Sequence, residues 1–155
     1  MPRRRPGALR AEQSPRDTWH LPVLRIHGLS IRTSAAIDRA ERLSGDYFAH
    51  PGATDRALRR YRAFLRAPGR RPLYPRVPLC GCRGCSFDDV RHARDVLDTV
   101  LGWLPLRPRT ELAHHVRALD FEYLGRTLPD PFAADRQWRP DLWWRRRLAD
   151  GQEGG

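Results

Sequence analysis

Cys80, Cys82 and Cys85 fall within six residues, Cys80-Gly-Cys82-Arg-Gly-Cys85, and nothing else in the chain gathers soft ligands so closely. Thiolates favour zinc and related soft ions, and the Cys82-x-x-Cys85 separation lets one short turn aim two sulfurs at one tetrahedral ion. Gly81 and Gly84 suit such a turn, since glycine takes positive φ angles freely and lets backbone N–H groups approach sulfur. A structural zinc takes four protein ligands, so three cysteines call for a fourth from elsewhere in the chain. The spacing points first to His92, about two turns into a helix that starts just after Cys85. His50, His20, His27, Asp88 and Asp89 are the alternatives. Two other uses fit the same cysteines, namely reduced thiols that merely pack and redox or iron–sulfur chemistry. The odd cysteine count argues against a secreted disulfide framework.

Motifs for catalysis are missing from the sequence. It has no Gly-x-Ser-x-Gly elbow, no Gly-x-x-x-x-Gly-Lys phosphate loop, no Gly-x-Gly-x-x-Gly and no His-Glu-x-x-His. The His-x-Glu of zinc deaminases is absent as well. His114 and His115 are adjacent, so on a helix their side chains diverge by about 100° and make poor co-ligands. An open zinc with three protein ligands and one water is the enzyme route that remains.

Charge is the second informative feature. The 155 residues carry 29 basic and 18 acidic side chains, a formal net charge of +11. Nucleic acid, anionic surfaces and acidic proteins are the partner classes this raises. Every basic residue is arginine, with no lysine or asparagine and only three isoleucines. That composition is expected of a GC-rich bacterial genome and accounts for part of the arginine excess. Residues 55–83 hold nine arginines and one acid, whereas residues 84–135 hold six arginines and nine acids. A one-faced arginine helix with Arg56, Arg59, Arg60 and Arg66, followed by Arg70, Arg71 and Arg76, can track a phosphate backbone. The ordinary alternative is a solvated outer face. Trp143 and Trp144, beside three arginines, offer a rival protein-binding surface, because Trp and Arg dominate interface hot spots.

The elements that must position these residues are helices. At 155 residues the chain suits one core, and the reading is a mostly α single domain of four or five helices over residues 18–150. A basic tail is expected over 1–17 and a flexible one over 151–155. Residues 19–32 do not fit one period, and a short strand or an extended arm on the core is as consistent with them as a helix. Thr33 or Ser34 is expected to cap a first helix with Ile37, Ala40, Leu43 and Tyr47 inward, ending near His50-Pro51-Gly52. A second should run from Thr54 to about Ala67, burying Ala57, Leu58, Tyr61, Phe64 and Leu65. The third, capped at Ser86, carries Val90, Ala93, Leu97, Val100, Leu101 and Leu104, with outward Arg91–Asp95 and Arg94–Asp98 pairs. Thr110 is expected to cap a fourth with Leu112, Val116, Leu119 and Tyr123, and Pro140 to open a short last helix.

No stretch approaches the ~18 to 20 uninterrupted apolar residues of a membrane span. The basic start is not followed by the apolar core of a secretory signal, so a cytoplasmic protein is expected. The sequence therefore leads to a zinc-stabilised binding protein whose favoured target is nucleic acid, with a protein–protein adaptor as the rival reading.

Overall fold

The computed structural model describes residues 23–150; the tails expected over 1–17 and 151–155 lie outside them. Among the described residues the chain is mostly helical and its only β pairings are isolated bridges. Five helices surround one core: α1 (Ile31–Ser44), α2 (Ala53–Leu65), the single turn α3 (Arg83–Ser86), α4 (Val90–Trp103) and α5 (Leu106–Arg126).

The segment before α1 is an arm laid on the core, pegged by buried Ile26 and Leu29. The cap of α1 is Ser30 rather than Thr33 or Ser34, its hydroxyl accepting from Thr33 N at 3.2 Å. Glu111 of α5 sets that start, because its carboxylate accepts from Ser30 N at 2.6 Å and Ser30 Oγ at 2.8 Å. An acid from one helix thus occupies the positive end of another. The helix closes at Gly45, φ 64°, in the left-handed conformation that glycine supplies without strain. Ile37 is buried and Ala40 packs against the core as expected, but Tyr47 falls beyond the helix and Leu43 is exposed, and Thr33, Ser34 and Glu41 complete the inward face.

Glu41 explains that rotation. Its oxygens accept from Gly52 N and Thr54 N, both at 2.7 Å, and so cap α2, while Thr54 itself lies buried in the first turn. Along α2 the expected stripe of Ala57, Leu58, Tyr61 and Leu65 is buried, with Phe64 packed beside it.

The cap of α4 is Asp89, accepting from Arg91 N at 2.8 Å, three residues beyond the expected cap Ser86. Ser86 belongs to the separate turn α3. Its core stripe of Val90, Ala93, Val96, Leu97 and Val100 packs on α2, and Leu104 follows into the core just beyond the helix end. Both arginines expected outside are inside. Arg91 is clamped by Asp89, and Arg94 by Asp120 of α5, with Asp98 only a secondary contact at 3.4 Å. Asp95, freed from Arg91, accepts from Trp144 Nε1 and from Arg145.

The last long helix starts one turn before Thr110. Pro108 is tolerated there because first-turn N–H groups have no intrahelical partner to lose. Instead of a helix from Pro140 there is one 3-10 turn, Trp143–Arg146, followed by extended backbone. Leu142, Trp143 and Trp144 are consecutive, and consecutive residues cannot share one helix face. Leu148 N donates to Leu128 O at 2.9 Å and Asp150 N to Pro75 O at 2.8 Å, so the C-terminal segment straps the proline-rich connector to the end of α5.

Candidate metal centre

Cys82 is the N-cap of α3. Its sulfur accepts from Cys85 N at 3.3 Å, and Ser86 Oγ donates to Cys82 O at 2.8 Å, which folds Cys85 back toward Cys82. Cys80 Sγ stands 3.1 Å from Cys82 Sγ. All three sulfurs lie within 4.8 Å of one another, compared with the roughly 3.8 Å that sulfurs sharing a tetrahedral zinc adopt at ~2.3 Å from the metal. Three convergent sulfurs with this spacing fit a soft cation. Neither Gly81 nor Gly84 has a positive φ, contrary to the turn expected. The turn is helical, and the capping sulfur does the work assigned to glycine.

Sulfur electrostatics are uneven. The Cys85 N–H and the Cys80 thiol, both directed at Cys82, bring Cys82 down to about 7. Cys85 is pushed up to about 12, because hydrogen bonds to Cys80 and Cys82 retain its proton and negative charge on those neighbours opposes a second thiolate. A bound divalent cation would reverse this penalty by attracting all three thiolates at once.

The loop is fastened from α2. Arg56 Nη2 donates to Gly84 O at 3.1 Å and Arg60 Nη2 to Asp88 O at 2.5 Å. The Arg56 guanidinium also covers the ring of Phe87 at 4.5 Å, and Phe87 is the buried peg below the loop. From the other side, Tyr47 lies under Arg83 at 5.2 Å. Sequence reasoning counted Arg56 and Arg60 only as cations. The signal it missed is their four-residue spacing, which lines up two long donors with the Gly84 and Asp88 carbonyls of the loop.

His92 does not join the sulfurs. With the helix starting at Val90, its ring is turned between Phe48, at 4.8 Å, and Phe87, at 5.1 Å, and burial lowers its pKa. Among the described residues no histidine or carboxylate completes the cysteine group. His50 Nδ1 is 2.9 Å from Pro51 O, and the Asp89 carboxylate is taken by Arg91. His27 sits in the arm, where its carbonyl accepts from Arg62. His20 lies outside the described residues.

Of the remaining arginines, Arg59 reaches only Asp55, one turn back, with three quarters of its side chain exposed. Arg66, Arg70, Arg71 and Arg76 are exposed as well. Trp143 and Trp144 are engaged internally. Trp144 is buried, and Trp143 packs edge-on against it and against Tyr123. No family model, curated protein or solved structure matches the chain.

Proposed function

We propose that this chain is a non-enzymatic binding protein whose cysteine loop holds one zinc ion and whose adjoining arginine surface engages nucleic acid. The observation that carries the reading is the pair of hydrogen bonds from Arg56 and Arg60 to Gly84 O and Asp88 O. Through them the metal loop and the arginine helix become one element, so that a bound ion stiffens the surface that would meet phosphate. Cys80, Cys82 and Cys85 would hold the ion, and its contribution is a cross-link within the loop. The exposure of Arg59, Arg66, Arg70, Arg71 and Arg76, and the net charge of +11, support an anionic target. Reduced thiols suit a cytoplasmic setting, and no described helix is long and apolar enough to cross a membrane.

The test is binding of labelled DNA and RNA oligonucleotides across a salt series. Affinity should fall steeply with salt, and replacing Arg59, Arg66 and Arg70 by Ala should weaken it and reduce the slope. No retention at low salt would reject the nucleic-acid target. A protein-partner reading is favoured by a different surface from the one expected: Phe121 and Leu124 on α5, with Phe132 after it, are exposed, whereas Trp143 and Trp144 are engaged internally.

A further inference from the structure

The position of the sulfurs on the surface bears on how a bound ion completes its shell. Cys80 and Cys82 are exposed, Cys85 is half-buried, and Gly81, Arg83 and Gly84 around them are exposed too. Leu79, next to Cys80, projects wholly into solvent. An ion held by these three sulfurs therefore has one side facing outward.

None of the described donors weighed as an internal fourth ligand joins the sulfur group. His92 is wedged between two phenylalanine rings with Nε2 buried away from any polar partner, Asp88 is exposed outside the group, Asp89 is spent on Arg91, and His50 turns Nδ1 toward Pro51 O. Charge and softness then select what would bind from outside. Three thiolates on a divalent ion sum to one negative charge, while Arg83 within the loop and Arg56 on the Gly84 carbonyl place two positive charges beside it. That balance favours an anionic fourth donor, and a soft ion prefers sulfur. The exposed Leu79 adds an apolar contact for whatever carries the donor.

We infer that the fourth ligand is a thiolate supplied by another molecule, so that the centre is a capture point for thiols. This rests on the metal reading proposed above. Binding exchanges a metal-bound water for sulfur, and the incoming thiol releases its proton to solvent, with no change in oxidation state.

Cobalt(II)-loaded full-length protein tests it, since cobalt takes the zinc position and reports sulfur count in its visible spectrum. Addition of a few equivalents of glutathione should raise the sulfur-to-cobalt charge-transfer intensity by about a third, four metal–sulfur bonds replacing three. The change should saturate, leave the oligomeric state of the protein unchanged and vanish in Cys82→Ser. If the same change arises without glutathione and follows protein concentration, the thiolate comes from a second copy. A spectrum indifferent to both, as a ligand such as His20 would produce, overturns the inference while leaving the metal reading intact. Stripping of cobalt by glutathione also overturns it. Failure to take up cobalt or zinc removes both.

Discussion

Arg94 of α4 and Asp120 of α5 meet in a buried ion pair, Nε and Nη2 lying 2.9 and 3.1 Å from the two carboxylate oxygens. Tyr61 of α2 donates its hydroxyl to the same carboxylate at 2.8 Å, and the Trp144 ring covers the guanidinium at 4.1 Å. Three helices and the C-terminal strap are therefore registered against one another at a single polar point inside the core.

Removing one partner strands a charge there. Asp120→Ala should cost about 3 to 5 kcal/mol in denaturant unfolding, and Arg94→Leu with Asp120→Leu should recover much of that loss. Tyr61→Phe, which removes one hydrogen bond to a charged group, should cost about 1.5 to 3 kcal/mol. A double variant no more stable than Asp120→Ala would show that the pair is not the registering contact.

Two capping glutamates should respond to pH with opposite sign. Burial raises the pKa of Glu41, with the hydrogen bonds from Thr54 and Gly52 pulling the other way. The folded state then holds that proton more tightly than the unfolded chain, so its contribution declines as pH rises above the ordinary carboxylate value. Glu111 is held below that value by Thr33 and Ser30, so its contribution is present above the ordinary value and lost as pH falls through the lowered one. Unfolding free energies measured from pH 3 to 7 check both. Relative to wild type, Glu41→Gln should gain as pH rises, and Glu111→Gln should lose less as pH falls.

The clamp between α2 and the cysteine loop predicts that Arg56→Ala with Arg60→Ala weakens zinc binding about tenfold, the usual penalty for losing outer support of a metal ligand. Arg59→Ala should have no effect, because that side chain reaches only Asp55. His92→Phe should keep the metal as well. Competition with a chromophoric chelator measures all three, and equal affinity in the clamp variant and in Arg59→Ala would contradict the clamp.

Apolar periodicity made the helices of residues 53–65 and 90–103 legible, since their buried apolar positions recur at helical spacing. The cysteine loop was legible from composition alone. Helix starts were not, because the caps are set by tertiary partners: Glu111 selects Ser30, and Glu41 caps a helix eleven residues onward. Arg94 illustrates the limit most clearly. Its four-residue spacing from Asp98 reads as a surface pair, but the carboxylate it needs in the core is Asp120, a partner no local pattern reveals. His92 packs between Phe48 and Phe87 rather than beside the sulfurs for a related reason: the helix cap lies at Asp89 instead of Ser86, three residues further on.

Metal content bears most directly on the central claim. Elemental analysis of purified protein should find about one zinc per chain, lost in Cys82→Ser with Cys85→Ser. Folded wild-type protein without metal, or unchanged metal content in the double variant, would contradict it.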